Sequence, residues 1–107
     1  VMEDIDIIIL LENLFDNAIE AVEKCNDRKE IRFNIKNVNS MLILKIWNCS
    51  CKMPEIKKDR FITDKNDSKG HGWGLESVKY IVQKYNGSIE FEYGETFFGV
   101  IIIIGGE

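Results

Sequence analysis

The segment Leu11–Ala21, LENLFDNAIEA, places two asparagines one helical turn apart inside an otherwise apolar helix. Asn13 and Asn17 stand at i and i+4, so both carboxamides project from one face. Ile5, Ile8, Phe15, Ile19 and Val22 recur at the three- and four-residue steps of a core stripe and are expected on the opposite face. A carboxamide offers an oxygen that can ligate a hard cation and a nitrogen that can donate to phosphate or ribose. Two asparagines on a helix edge can equally cap loops or bond each other, so the pair alone leaves binding and structural roles open.

A second motif narrows the choice. Gly70-His71-Gly72-Trp73-Gly74-Leu75 runs straight into a helix-period segment, Glu76–Tyr85. Alternating glycines turn the backbone tightly and leave its N–H groups open to an incoming anion. A helix start adds the dipole and the unsatisfied N–H groups of its first turn, which makes a phosphate cradle. A dinucleotide-binding loop would need a strand leading directly into the glycines. The preceding residues, DRFITDKNDSKG, are polar and charged, so that context fails.

At 107 residues the chain is expected to form one domain, residues 1–107, with a single core. Apolar residues at 45% and charged residues at 30% fit a globular protein and not a disordered one. Fourteen basic residues against 18 acidic ones give a net charge of −4, which argues against a nucleic-acid partner. The longest apolar runs, Ile7–Leu11 and Val100–Ile104, are too short to span a membrane, and nothing resembles a signal peptide. Cys25, Cys49 and Cys51 are odd in number and sparse, as expected of reduced thiols in a cytoplasmic setting. Cys49-Ser50-Cys51 lacks the second Cys/His pair that a zinc site needs.

Read in order, acids Glu3, Asp4 and Asp6 suit the start of a first helix that runs to about Lys24. Ile31, Phe33 and Ile35 alternate with Arg32, Asn34 and Lys36 as in a half-buried strand. Asn37–Ser40 supplies a turn, and Met41–Asn48 returns antiparallel. Cys49–Lys69 has no clean period, and eight charged residues fall between Lys57 and Lys69. A loop this long is functional or mobile more often than filler. A second helix, Leu75–Tyr85, closes at Asn86-Gly87. Ser88–Tyr93 and Thr96–Ile104 form another hairpin, whose last strand is apolar on both faces and so central in its sheet. Trp47 is expected in the core. The order implies an α+β two-layer sandwich, helices on one face of a mixed sheet.

Together these residues resemble the nucleotide-binding domain shared by gyrase, Hsp90, histidine kinases and MutL, the GHKL superfamily. The nearest likeness is to the catalytic domain of sensor histidine kinases of the peptide quorum-sensing type. It rests on five segments in matching order and spacing: LENLFDNAIEA, IWNCSCKMPEI, FITDK, GHGWGL and YGETFFGVIIII. The resemblance implies the Bergerat ATP-binding fold, with ATP and Mg2+ as ligands. It makes Asn17 the magnesium ligand and Asn13 a contact to the nucleotide or its metal. Magnesium keeps most of its waters, so one protein amide suffices. The adenine pocket would form on the strand end at Asn48, with Met53 packing on the base and Thr96 nearby. Gly70, His71, Gly72, Trp73, Gly74 and Leu75 would line the phosphates, and Lys65 could reach them from a closed lid.

Two departures from the broad superfamily carry chemical meaning. Hydrolytic members place a glutamate one turn before the magnesium asparagine, where this chain has Asn13. An amide takes no proton at useful pH, which favours transfer to a protein side chain over hydrolysis. The usual Asp-x-Gly-x-Gly box reads Asn48-Cys49-Ser50-Cys51-Lys52 here, keeping an oxygen acceptor for the adenine amino group without its charge.

The resemblance thus implies the ATP–Mg2+ binding catalytic domain of a histidine protein kinase. Asn13 would act in its catalytic site, and the γ-phosphoryl group would be presented to a histidine on a separate dimerisation domain. The chain is expected to be a fragment of a longer, membrane-bound receptor, lying on the cytoplasmic side. A response regulator would act downstream, and a homodimer is expected only of the full-length protein. A non-catalytic nucleotide-sensing scaffold and an anti-sigma-factor-type serine kinase are the competing readings.

Overall fold

The computed structural model describes residues 2–51, 55–57, 60–62 and 73–105. Helix α1 spans Asp4–Glu23, with Asp4 and Asp6 in its first turn where negative charge meets the positive end of the dipole. Its last carbonyls are closed by a side chain from beyond the helix. The Lys29 ammonium donates to the carbonyls of Val22 (3.0 Å), Glu23 (3.3 Å) and Cys25 (2.6 Å).

The buried ridge of α1 is Asp6, Leu10, Leu14, Ala18 and Val22, at steps of four. The expected stripe is therefore corrected. Ile5, Ile8 and Ile19 are 58%, 56% and 44% exposed, and of the five residues named only Val22 is buried. Phe15 is half-buried, with its ring 5.1 Å from that of Phe33. The helix carries two apolar stripes. The one that reaches the sheet contains a carboxylate, whose burial depends on partners far away in sequence. Asn13 lies two turns from Asp6 and Asn17 two turns from Leu10, so the asparagines flank the buried ridge instead of opposing it.

Strands β1 (Ile31–Val38) and β2 (Met41–Cys49) join through Asn39 and Ser40, both left-handed at φ 51° and 68°. Two such residues make a turn whose twist matches that of the flanking strands. The turn is thus Asn39-Ser40 alone, and β1 extends through Asn37 and Val38. Glu55–Lys57 (β3) and Arg60–Ile62 (β4) pair antiparallel as a separate two-stranded unit inside the segment read as aperiodic. Helix α2 spans Trp73–Lys84, and β5 (Ser88–Tyr93) and β6 (Phe97–Ile104) follow.

The main sheet has the order β1-β2-β6-β5, which makes β6 central as its two apolar faces require. In place of the expected mix of directions, each described pairing is antiparallel. Leu44 opposite Ile102 and Ile46 opposite Val100 point to one face. There they form a single core with Leu10, Leu14 and Ala18 of α1 and Val78, Ile81 and Val82 of α2. The helices thus share that face, and the α+β two-layer class holds.

Trp47 corrects another expectation. It alternates with Ile46, so it stands on the face away from the helices and is only half-buried. The guanidinium of Arg32 lies 4.8 Å from its ring centroid and that of Arg28 5.9 Å, while Phe97 stacks alongside at 6.2 Å. The end of α2 follows its prediction. Asn86 takes φ 58°, and the Gly87 N–H returns to the Val82 carbonyl at 2.9 Å. No helix among the described residues is long and apolar enough to cross a membrane.

Candidate functional site

The site is built by running two helices in opposite directions from one fixed point. At the start of α1 the Asp6 carboxylate accepts hydrogen bonds from the Tyr85 hydroxyl and, at 2.9 Å, from the Lys84 ammonium at the end of α2. Eleven residues along α1 from Asp6 is Asn17, and eleven residues back along α2 from Lys84 is Trp73. At about 1.5 Å of rise per residue, Asn17 and Trp73 each stand about 16 Å along their own helix from that clasp. The first turn of α2 carries the backbone N–H groups and the positive dipole end of a helix start.

Asn13 and Asn17 are both half-buried on α1. The Asn17 Nδ2 atom is buried with no hydrogen-bond partner among the described residues. Buried amides are ordinarily satisfied, and one left open marks a place where a further group belongs. The carboxamide can serve that group with its nitrogen as a donor or, turned over, with its oxygen as a ligand. Among the described residues no three His, Cys, Asp or Glu side chains are grouped to hold a metal. A cation here would accordingly draw on carboxamide oxygen, water and oxygens of its own ligand, a donor set suited to magnesium.

Asn48 is 3% exposed at the end of β2, on the helix face. Its Nδ2 donates to the Cys49 carbonyl at 2.9 Å, which fixes the amide's orientation, with its oxygen as the acceptor. Thr96 is exposed, and its carbonyl receives the Ser50 N–H at 2.9 Å, so it lies across the same strand end. Asn48 and Thr96 thus come together at one end of the sheet, and Asn13 and Asn17 on the helix above it.

Met53, Lys65, Gly70, His71 and Gly72 lie outside the described residues. Trp73 and Gly74 fall within the first turn of α2, so the helix begins two residues earlier than its sequence period suggests. The Leu75 side chain is buried, so what that residue can offer an anion is its backbone N–H.

Two features were not anticipated. One is the Asp6 carboxylate, held below the usual carboxylate range first by the Tyr85 hydroxyl and then by Lys84. A lone acid inside a four-step Leu/Ala ridge is the sequence signal that could have shown it. The other is the meeting of all three cysteines beside Asn26, Glu95 and Thr96, around an open cleft of about 380 Å³. Burial, and after it the neighbouring Cys51 and Cys49 thiols, push the Cys25 thiol up, with Lys29 acting against them. The hairpin that follows α1 makes this meeting inevitable, since it returns the chain to the point where the helix ended.

A family model described as the GHKL domain matches residues 2–105. A curated relative, the "Probable C4-dicarboxylate sensor kinase" of Bacillus subtilis (strain 168), is 32% identical over 111 residues, covering 95% of this chain and 20% of the relative. This chain therefore spans about a fifth of that protein's length. Among solved structures, the catalytic domain of the histidine kinase ThkA, in a nucleotide-free form, superposes with a TM-score of 0.69 at 25% identity, over 94% of this chain and 66% of that one. The Acinetobacter baumannii histidine kinase AdeS gives 0.67 at 23% identity, over 95% and 46%, a likeness of fold alone.

Proposed function

The chain belongs to the GHKL domain family, and on that premise we propose that it is the ATP–Mg2+ binding catalytic domain of a sensor histidine kinase. The Asn17 carboxamide carries the reading: its nitrogen is buried on α1 and has no hydrogen-bond partner among the described residues. A buried polar atom left unpaired costs about 1–3 kcal/mol, and turning the amide over puts its oxygen at that position, where a cation satisfies it. Asn17 would hold the magnesium ion through its oxygen, with Asn13 one turn earlier on the nucleotide or the ion. When bound, magnesium neutralises phosphate charge while keeping most of its waters.

The remaining roles are those that the family resemblance implies. The Asn48 oxygen accepts from the adenine amino group, with Met53 packing on the base and Thr96 beside it. Backbone N–H groups of Gly70 to Leu75, with Lys65, would take the phosphates. The chain's work is positioning and electrostatic stabilisation, which carry most of phosphoryl transfer. Asn13 has no useful basicity, so the side chain one turn before Asn17 does not activate water. The γ-phosphoryl group is held for a histidine on the protein's own dimerisation domain and passes from there to a response regulator. Such a domain works on the cytoplasmic side of a membrane-bound receptor, where ATP is available.

Calorimetric titration with ATP, with and without magnesium, tests the reading. Saturable binding that strengthens with magnesium is expected. Absence of binding under both conditions, by a chain that melts cooperatively, would overturn it.

A further inference from the structure

Cys25 lies two residues past the end of α1, Cys49 is the last residue of β2, and Cys51 follows two residues on. The β1–β2 hairpin brings them together, because Ile31 pairs with Asn48 and the chain leaving β2 returns to the end of the helix. The Cys51 thiol donates to the Lys24 carbonyl at 3.3 Å, and the Cys25 thiol donates to the Ala21 carbonyl at 3.6 Å. Both sulfurs are therefore tethered to the same last turn of α1. Cys51 is exposed, while Cys25 and Cys49 are buried. All three thiols are free and border the same open cleft.

We propose that Cys25 and Cys51 are an oxidisable dithiol, which a peroxide closes into an intramolecular disulfide stapling the end of α1 to the chain leaving β2. Cys51, the exposed sulfur, is the one a small oxidant reaches first. Its thiolate attacks one oxygen of hydrogen peroxide, giving a sulfenic acid and one water. The Cys25 sulfur then attacks the Cys51 sulfur, the sulfenic oxygen leaves as a second water, and the S–S bond forms. In sum two thiols and one peroxide give one disulfide and two waters, with both sulfurs oxidised and the peroxide oxygens reduced. The Cys25 proton leaves with the departing sulfenic oxygen, and the Lys29 ammonium holds the Cys25 carbonyl at 2.6 Å. Cys49 is a bystander: its backbone N–H is fixed to the Glu30 carbonyl at 3.0 Å, and as a buried strand residue it turns little.

The bridge costs α1 the two thiol hydrogen bonds to its last turn and draws Cys51 toward the helix. Asn48 lies three residues upstream, and Ser50 is tied to Thr96 across the same strand end. The oxidised protein therefore binds ATP more weakly than the reduced one, a consequence that rests on the nucleotide reading.

The test oxidises the reduced chain with hydrogen peroxide, blocks remaining thiols with an alkylating agent under denaturing conditions, and maps the peptides. The expected product is a monomer lighter by two hydrogens, with Cys25 linked to Cys51, Cys49 alkylated, and full reversal by a dithiol reductant. Cys49→Ser should still form the bridge. Cys51→Ser, an exposed change that leaves the core intact, should not. A bridge through Cys49, a dimer linked between chains, or irreversible oxidation of Cys51 without a bridge would each overturn the proposal. ATP titration of both forms then judges the coupling. Equal affinity refutes it, and a reduced protein that binds no ATP refutes the nucleotide reading and the coupling together, while the dithiol is judged by the mapping alone.

Discussion

The Tyr85 hydroxyl, just beyond α2, donates to the Asp6 carboxylate in the first turn of α1, and the same hydroxyl accepts the Glu3 N–H at 3.0 Å. Glu3 makes no side-chain cap of its own. Tyr85 thus satisfies one orphan donor at the helix start and, with Lys84, makes a buried carboxylate tolerable. One residue does the work of a cap and of a clasp between helices.

The clasp predicts how stability varies with pH. Asp6 titrates below its usual range, so its contribution is complete above the unfolded value of about 3.9 and is lost as pH falls through the depressed one. Lys84 and Tyr85 are both pushed up by Asp6, so their contributions hold below about 10 and are lost as pH rises through the raised values. Asp6→Asn should lower the melting temperature most between about pH 5 and 9. The gap to wild type should narrow toward both extremes. A gap of constant size across that range would show that the charge on Asp6 does not matter.

Gly87 is needed for space. A Cβ there would stand 2.6 Å from the Ile103 carbonyl oxygen and 3.0 Å from Ile104 Cγ1, and the oxygen is backbone in the central strand. Gly87→Ala should destabilise by about 2 kcal/mol, the cost of moving a strand away from a helix end. In a domain of this size that is roughly 10 °C of melting temperature. A melting temperature within a degree of wild type would mean that the helix end shifts freely.

Element order, the central place of β6 and the closing Asn86-Gly87 pair were legible because each is a local signal. The buried face of α1 was not. Ile5, Ile8 and Ile19 make as good a stripe on paper as Leu10, Leu14 and Ala18, and the true ridge is disguised by Asp6. Only Tyr85 and Lys84, nearly eighty residues away, make that acid fit. Trp47 misled for a similar reason: its size suggested core, but the register with Arg32 puts it under guanidinium groups on the open face. Of the candidate site, spacing put Asn13 and Asn17 on one face of α1, where both are half-buried. The meeting of the cysteines needed the hairpin register, which no single segment reveals.

Asn17→Ala separates binding from folding. The amide nitrogen makes no hydrogen bond among the described residues, so its removal should leave the melting temperature unchanged or raise it by a few degrees. Magnesium-dependent ATP binding should be lost in the same protein. Unchanged ATP–Mg2+ affinity in the variant would remove Asn17 from the site. A large fall in melting temperature would show that the amide has a structural partner after all.

Transfer and hydrolysis are told apart by Asn13. With an amide one turn before Asn17 and no supplied acceptor, the chain alone should bind ATP and turn it over negligibly. Mixed with a histidine-bearing dimerisation domain shown to accept phosphate from its own kinase, it should label that domain from γ-labelled ATP. The bond should be acid-labile and alkali-stable, as a phosphoramidate is, whereas a serine ester shows the reverse. Asn13→Ala should reduce transfer, and Asn13→Glu should supply the missing base and raise hydrolysis without an acceptor. Robust hydrolysis by the wild-type chain would point to water activation by another group and overturn the role given to Asn13. Acid-stable labelling of a partner would favour a serine kinase. ATP binding with no transfer to a competent histidine domain would leave nucleotide sensing as the better account, since a site that positions phosphate without delivering it can only report occupancy.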